Sequence, residues 1–247
     1  MRALVLAVLA LAALAACGAP QHTLMTDGGS RLTLQASCLP DKPGCVIGNW
    51  LDTTKQVLTR RLGSLAITDS VVRVEGADHI VVELPGVTND AQVVSTLTEH
   101  GGVAILDTGT TLVAVGTDVT GKTCAATCAA RQFHIVFTGD QIDPSSINAA
   151  LDPQTNQPAV AFAFAGAAKD DFAKYTASHL GQYLTIAAND NVVESATINS
   201  QIDGLGQVSG GNMTVSEAQH LAVLMKSPAL PLHLTVLTNE VLQPSTK

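Results

Sequence analysis

The residues best suited to chemistry are Asp107-Thr108-Gly109, which follow a short apolar stretch. An aspartate in such a loop can activate water when it shares a proton with a second aspartate close by, as in an aspartic protease. The sequence holds one such motif, so a protease would have to be a dimer of this chain. The tripeptide is short, and the simpler interpretation is a strand that ends in a polar turn.

Two other catalytic patterns are absent from the sequence. It contains no Gly-x-Ser-x-Gly elbow and no His-Glu-x-x-His segment. The histidines are scattered, and we expect His179 and His220 at surface or boundary positions of helices rather than as metal ligands. We therefore predict a binding or scaffolding protein without enzymatic activity, cofactor or metal.

Four cysteines in the body of the chain are candidates for disulfides. Cys38 and Cys45 flank a short segment with proline and glycine, whereas Cys124 and Cys128 flank a short Ala-Ala-Thr segment. Outside the cytoplasm disulfides are the expected state, and pairing of neighbours is our hypothesis among several possible connectivities. Zinc is the alternative because His134 follows the second pair, although no second close Cys/His pair completes a tetrahedral set.

The amino terminus has the pattern of an export signal. Arg2 precedes an apolar run over residues 3–16, which is shorter than the roughly 20 residues of a spanning helix. Small residues before Cys17 and Gly18 after it form a lipobox, so we predict a signal peptide over residues 1–16 and a lipid on Cys17. The alternative is an ordinary secretory signal with a chance cysteine. No other segment is apolar enough to predict a membrane helix.

The composition indicates which residue types form the core and which class of partner is excluded. Aromatic residues are 3% and hydrophobic residues 46% of the chain, so we expect a core of Val, Ile, Leu and Ala. The formal net charge is -8, and an acidic protein repels phosphate backbones. We therefore predict no nucleic-acid partner.

Hydrophobic periodicity and turn residues predict a mixture of hairpins and crossover helices. Helices are predicted over residues 50–62 with Gly63 as the stop, from a cap at Asn89 or Asp90 to Thr98, and over residues 168–180 before Gly181. A short helix opens at Asp143-Pro144, and a capping box of Thr214 and Glu217 begins another. Strands are predicted over residues 31–37, 70–76, 79–86, 103–107, 133–139, 158–164, 183–188, 192–198 and 232–237. This order is typical of the α+β class.

A series of short motifs in the first half follows a fixed order. Residues 27–32 read Asp-Gly-Gly-Ser-Arg-Leu, residues 60–63 read Arg-Arg-Leu-Gly, and residues 79–87 read HIVVELPGV. Ala104 and Leu106 follow in the next predicted strand.

The second half carries the more specific motifs. They are TNQPAVAFAF within residues 151–164; Phe172, Thr176 and Gly181; Val193, Ser195 and Ala196; residues 206–210; residues 213–218 with Leu221 and Ala222; SPALP at residues 227–231; and Pro244-Ser245. In this order the segments resemble the first large extracytoplasmic domain of SecD, a subunit of the Sec protein-export machinery. The resemblance covers nearly the whole chain after the predicted signal peptide.

The sequence departs from the SecD pattern at several positions. Asp107 aligns with a glutamate of the family, which weakens the protease hypothesis. Thr197 replaces a proline, residues 189–191 replace a Leu-Asp-Gly turn, and Pro228 replaces a glycine. In the family, proton-driven transport depends on membrane helices that would follow Lys247, so we expect no motor activity from this chain alone.

The resemblance implies an α+β fold with a base sheet and an inserted ferredoxin-like head. The expected division is a lipidated tether over residues 17–23, a base over 24–132, a head over 133–226, and a strand over 227–247 that returns to the base. The implied function is binding of unfolded or emerging secretory polypeptides at the extracytoplasmic face of a cell membrane, with Sec translocase components as possible partners. A structural envelope lipoprotein is the alternative. Candidate polypeptide-binding residues are Val193, Ser195, Ala196, Ile198, Val208 and Met213.

Overall fold

The structure, a computed structural model, describes residues 23–39, 42–88, 90–119, 133–209 and 213–245. The helices in these ranges are α1 (Leu24–Asp27), α2 (Leu51–Ser64), α3 (Ala91–Thr98), α4 (Ala167–Ser178) and α5 (Val215–Lys226). The strands are β1 (Gly29–Ser37), β2 (Val71–Glu75), β3 (His79–Pro85), β4 (Val103–Asp107), β5 (His134–Thr138), β6 (Asn148–Leu151), β7 (Pro158–Ala163), β8 (Tyr183–Ala188), β9 (Asn191–Thr197), β10 (Leu205–Val208) and β11 (His233–Leu242). The predicted α+β class is confirmed.

The first sheet joins the two ends of the described chain. Its antiparallel order is β11-β1-β3-β2, and β1 pairs with β11 from Gly29 opposite Leu242 to Ser37 opposite His233. Two successive glycines make the start of β1 possible, because a Cβ on Gly29 would lie 2.2 Å from the carbonyl oxygen of Leu84. The last strand is longer than the predicted residues 232–237. We call this sheet with α2 and α3 the base.

Alternation along β1 separates a buried face from a polar face. Leu32 and Leu34 are fully buried against the helices, as expected for a sheet with one covered face. On the opposite face, Glu83 of β3 pairs with Arg31 at 3.1 Å and with Arg73 at 2.7 Å. The charges of this polar face are therefore matched within the base.

Helix α2 continues through the predicted stop at Gly63. The backbone N–H of Leu65 still bonds to the carbonyl of Arg61, and Ala66 adopts a left-handed φ of 60°. The prediction of a stop at Gly63 was wrong because the reversal falls on Ala66. For α3, Asp90 is the N-cap and accepts from the N–H groups of Gln92 and Val93, as predicted.

Two further antiparallel sheets make up the second part of the molecule. Their orders are β5-β4-β8-β9 and β10-β7-β6, and α4 and α5 pack with them. We call these seven strands and two helices the head. The predicted division at residue 132 puts β4 with the base, but β4 pairs with β5 and β8, so its hydrogen bonds and buried side chains belong to the head.

Aromatic side chains are concentrated in the core of the head. Phe172 of α4 lies 4.5 Å from Phe164 and 5.3 Å from Phe137, measured between ring centroids, and Phe162 contacts Phe164. The expectation of a core without aromatic residues is therefore wrong for the head and holds for the buried cluster of the base. A composition average cannot show that a few rings share one core.

Several predictions fall outside the described residues. They concern the signal peptide, Cys17 and most of the tether, Asn89, and both Cys124 and Cys128. In the part of the chain that the structure describes, no helix has the length and apolar character needed to cross a membrane.

Candidate functional site

A groove of about 410 Å³ lies between α5 and the β8–β9 hairpin. Its lining residues are Glu99, Val115, Ala188, Asn189, Asn191, Val193, Met213, Glu217, His220, Leu221 and Leu224. Six of these eleven side chains are apolar and five are polar or charged, and a concave site that combines apolar walls with polar groups is typical of binding sites. We call this feature the α5 groove.

Helix α5 supplies one wall because of its start and its periodicity. The Thr214 hydroxyl accepts from the N–H of Glu217, whose carboxylate accepts from the N–H of Thr214 at 2.7 Å. This capping box was predicted from the sequence. One helical turn apart, Glu217, Leu221 and Leu224 then line the groove, while Ala218 and Ala222 face the head core.

The β8–β9 hairpin supplies the opposite wall and is held at its tip. Asn189 and Asp190 have φ values of 49° and 66°, the left-handed pair that a two-residue hairpin turn requires. The side-chain oxygen of Asn189 accepts a hydrogen bond from the N–H of Gly101 at 3.2 Å. The backbone N–H of Asn189 donates to the carbonyl of Gly102. The turn therefore fixes the hairpin to the segment that connects base and head.

His220 joins the base and the head at the end of the groove. Its Nε2 lies 2.8 Å from a carboxylate oxygen of Glu99, and its Nδ1 lies 2.7 Å from the hydroxyl of Thr96. Burial alone would raise the pKa of Glu99, but hydrogen bonds from His220 and Ser95 and the nearby positive charges outweigh burial and lower it. Glu99 is therefore held as a carboxylate beside the groove.

Arg61 supports this end of the groove from behind. Its guanidinium is buried and donates to the carbonyls of Thr96, Glu99 and His100, at the carboxyl end of α3. A cation at this end of a helix is favourable because the partial negative charge of the helix dipole lies there. Burial lowers the pKa of Arg61 to about 10, against the opposing effect of the Glu99 charge.

Sequence reasoning missed the cluster of Arg61, Glu99 and His220. His220 was expected at a boundary position, but its partners lie 121 and 124 residues away in the chain. Arg61 lies in the Arg-Arg-Leu-Gly motif of residues 60–63, and this motif was the one sequence signal for the cluster. Nothing in the spacing of these residues indicates that they meet.

The structure places the candidate polypeptide-binding residues in different environments. Val193 and Met213 are half-buried and line the α5 groove. Ala196 is exposed on β9 but does not line the groove. The hydroxyl of Ser195 lies 2.9 Å from the hydroxyl of Thr185 on the neighbouring strand β8. Ile198 and Val208 are 1% and 0% exposed, so they form core and are not surfaces that a polypeptide can reach. Ile198 directly follows β9, and Val208 is the last residue of β10.

The outer edge of β9 is partly covered by residues 113–119. The N–H of Gly116 donates to the carbonyl of Val192, and the N–H of Val192 donates to the carbonyl of Thr117. The same segment brings Val115 to the rim of the α5 groove, where its side chain is 59% exposed. Strand addition along this part of β9 would have to displace existing hydrogen bonds, so the groove is the more accessible surface.

Asp107 lies at the end of β4 and closes a turn. Its carboxylate accepts from the N–H of Gly109 at 2.9 Å and is hydrogen-bonded to Tyr175. Burial, and then the charge and hydrogen bond of Asp107, raise the pKa of Tyr175 to about 12. Both contacts suit an aspartate that stabilises the end of a strand.

The cysteines of the base form a disulfide. Cys38 and Cys45 are joined with Cα atoms 5.7 Å apart, as pairing of neighbours predicts. Since Cys124 and Cys128 lie outside the described residues, the zinc alternative with His134 is not tested; within the described ranges no three His, Cys, Asp or Glu residues form a metal-binding group.

Two family models match the chain. The "SecDF, P1 head subdomain" matches residues 115–232, and the "Protein translocase subunit SecDF, P1 domain, N-terminal" matches residues 51–105. The chain belongs to the SecD/SecDF family. Within it, the chain corresponds to the P1 domain, in agreement with the resemblance found in the sequence.

Curated relatives agree with this assignment, and solved structures share the fold. "Protein translocase subunit SecD" of Acidaminococcus fermentans is 29% identical over 89% of this chain and 46% of its own length. The SecD of Dictyoglomus turgidum is 26% identical over 91% and 49%. A structure of SecDF in "Super-membrane-facing form" matches with a TM-score of 0.70 at 21% identity, over 91% of this chain and 32% of that one. The chain thus spans about half the length of the curated relatives it matches.

A second solved structure has nearly the extent of this chain. It is described as "Structure and function of a membrane component SecDF that enhances protein export", and it matches with a TM-score of 0.64 over 84% of this chain and 98% of that one. Its identity is 21%, so the likeness concerns the fold. The family is a component of protein translocation and not a family of enzymes, which does not favour the protease hypothesis for Asp107.

Proposed function

We propose that this chain binds unfolded or emerging secretory polypeptides in the α5 groove and assists their export. It acts at the extracytoplasmic face of a membrane, to which a lipid on Cys17 tethers it. Sec translocase components are its candidate partners.

The observation that carries the proposal is the groove itself. Its walls present Val115, Val193 and Met213, whose apolar surfaces can take up the side chains of an unfolded segment, whereas Leu221 and Leu224 are buried and contribute little surface. One wall is a helix and the other a hairpin, which suits an extended or helical segment laid between them. Membership of the SecD/SecDF family, whose members are protein translocase subunits, supports the same role.

Met213 suits binding of many different segments. Its side chain is half-buried at the start of α5, next to the capping box. Methionine is unbranched and polarisable, so it adapts to differently shaped partners. An export factor that handles varied polypeptides needs such a surface.

Photocrosslinking tests the proposal. A photoreactive amino acid is placed at Val193 or at Met213 in the full chain, which is then mixed with an unfolded secretory protein. The expected result is saturable crosslinking at both positions that a folded protein does not displace. Val71 is the matched control, because it is an apolar residue on β2 that is 47% exposed and lies outside the groove.

The outcomes separate the candidate functions. Crosslinks at Val193 and Met213 but not at Val71 support polypeptide binding in the α5 groove. Equal crosslinking at all three positions would contradict a defined site. No crosslinking at micromolar concentration would contradict the proposal and favour a structural envelope lipoprotein.

A further inference from the structure

Two carboxylates line the α5 groove, that of Glu99 directly after α3 and that of Glu217 in the first turn of α5. Among the described lining residues there is no lysine or arginine, and His220 is hydrogen-bonded to Glu99. The remaining polar groups are the amides of Asn189 and Asn191. The groove therefore combines apolar walls with negative charge.

The two carboxylates differ in how far they are already neutralised. Glu99 is bonded to His220 at 2.8 Å and has the buried guanidinium of Arg61 behind it. Glu217 accepts only from the N–H and hydroxyl of Thr214 among the hydrogen bonds that the structure gives its carboxylate, and both involve one carboxylate oxygen. These hydrogen bonds, the backbone one first, lower the pKa of Glu217 and keep it ionised. Glu217 therefore supplies most of the negative charge that an occupant meets.

Building on the proposed polypeptide binding, we propose that the α5 groove selects segments in which lysine or arginine adjoins an apolar stretch. The apolar side chains contact Val115, Val193 and Met213, and the cation lies against the carboxylate of Glu217. Because all four residues line one groove, one short segment reaches both the apolar walls and the carboxylate.

The charge of the groove also acts against other segments. An acidic residue beside the apolar stretch would lie near Glu217 without a compensating cation in the lining. Like charges placed together in an interface are unfavourable and discriminate against wrong partners.

Paired synthetic peptides test the charge selectivity. Two peptides share one apolar core and carry either lysine or glutamate on both sides, and each is titrated into the full chain by fluorescence anisotropy. At low salt the lysine peptide is expected to bind about tenfold more tightly, and the ratio falls as salt rises because exposed charges are screened. Glu217→Gln keeps the side chain able to form a capping box and is expected to reduce the ratio by about threefold.

The matched control carries the same change of charge elsewhere. Asp170→Asn in the first turn of α4 lies outside the groove, so the ratio is expected to stay as in the parent chain. Equal binding of both peptides, or an equal effect of Glu217→Gln and Asp170→Asn, would overturn the selectivity while leaving polypeptide binding in place. Failure of both peptides to bind would overturn the proposed function together with it.

Discussion

The base and the head differ in the side chains of their cores and in the polar groups on their surfaces. The base core consists of aliphatic residues from one sheet and two helices, and its outer sheet face pairs Glu83 with Arg31 and Arg73. The head core is built around Phe137, Phe164 and Phe172, and its surface carries a groove in which the carboxylate of Glu217 has no ion pair among the described residues. The base pairs Glu83 with two arginines on its polar face, whereas the head places the carboxylate of Glu217 beside an apolar groove.

This difference indicates a division of work between the two parts. The base sheet has ion pairs between its own side chains on its polar face, which suits a structural part that carries the head. A groove with exposed Val115 and an unneutralised Glu217 suits a binding surface, since exposed apolar patches with polar rims mark interaction sites. His220 of α5 is hydrogen-bonded to Thr96 and Glu99 at the end of α3, and this contact connects the base to the groove.

The largest expected effect comes from removing an aromatic ring from the head core. Phe172 is 1% exposed, and Phe172→Ala is expected to lower the free energy of unfolding by about 4 kcal/mol. Urea unfolding is followed by Trp50 for the base and by the near-ultraviolet signal of Tyr175 and Tyr183 for the head. The tyrosine transition is expected to move further than the tryptophan transition; equal shifts would show that the two cores unfold as one. Phe172→Leu is the conservative control, with a smaller loss.

Next in size is removal of the buried cation at the base–head junction. Arg61→Ala leaves the carbonyls at the end of α3 without their donor and is expected to cost about 3 kcal/mol of stability. Its neighbour Arg60 is exposed, so Arg60→Ala is the matched control with a change of about 0.5 kcal/mol or less. The measurement is urea unfolding at neutral pH. Similar losses for both variants would contradict a structural role of the Arg61 contacts.

The smallest expected effect concerns pH and Glu99. Because the folded pKa of Glu99 lies below its ordinary value, its contribution to stability is fully present above that ordinary value and is lost as pH falls through the lowered one. The Glu99→Gln variant should therefore lose less stability than the parent chain between about pH 5 and pH 3. Unfolding free energies across this range provide the measurement. Identical pH profiles would show that the carboxylate makes no net contribution, and Asp170→Asn serves as the control.

Local patterns predicted much of the fold. Alternation along β1, the Asp90 cap and the capping box of Thr214 and Glu217 each depend on neighbours in sequence, and each is present in the structure. The short strands β6 and β10 and the four-residue α1 were not predicted as elements, because a few residues carry too little periodicity to distinguish them from loops.

The site was predictable only in part. Val193 and Met213 were found through motifs, but Ile198 and Val208 in the same stretches are buried. Which side of a strand faces a core depends on the packing of α4 and α5, which local sequence does not specify. The Glu99–His220 contact depends on the meeting of base and head, and no local rule brings together residues so far apart in the chain.

The most direct test of the central claim is the affinity of the full chain for an unfolded secretory protein. It is measured for Val193→Asp in the groove and for Val71→Asp on the base. Val193→Asp puts a further carboxylate on an apolar wall, so binding is expected to weaken about tenfold, while Val71→Asp leaves it unchanged. Circular dichroism confirms that both variants are folded. Equal affinities of the two folded variants would contradict the account, because the α5 groove would then not be where the polypeptide binds.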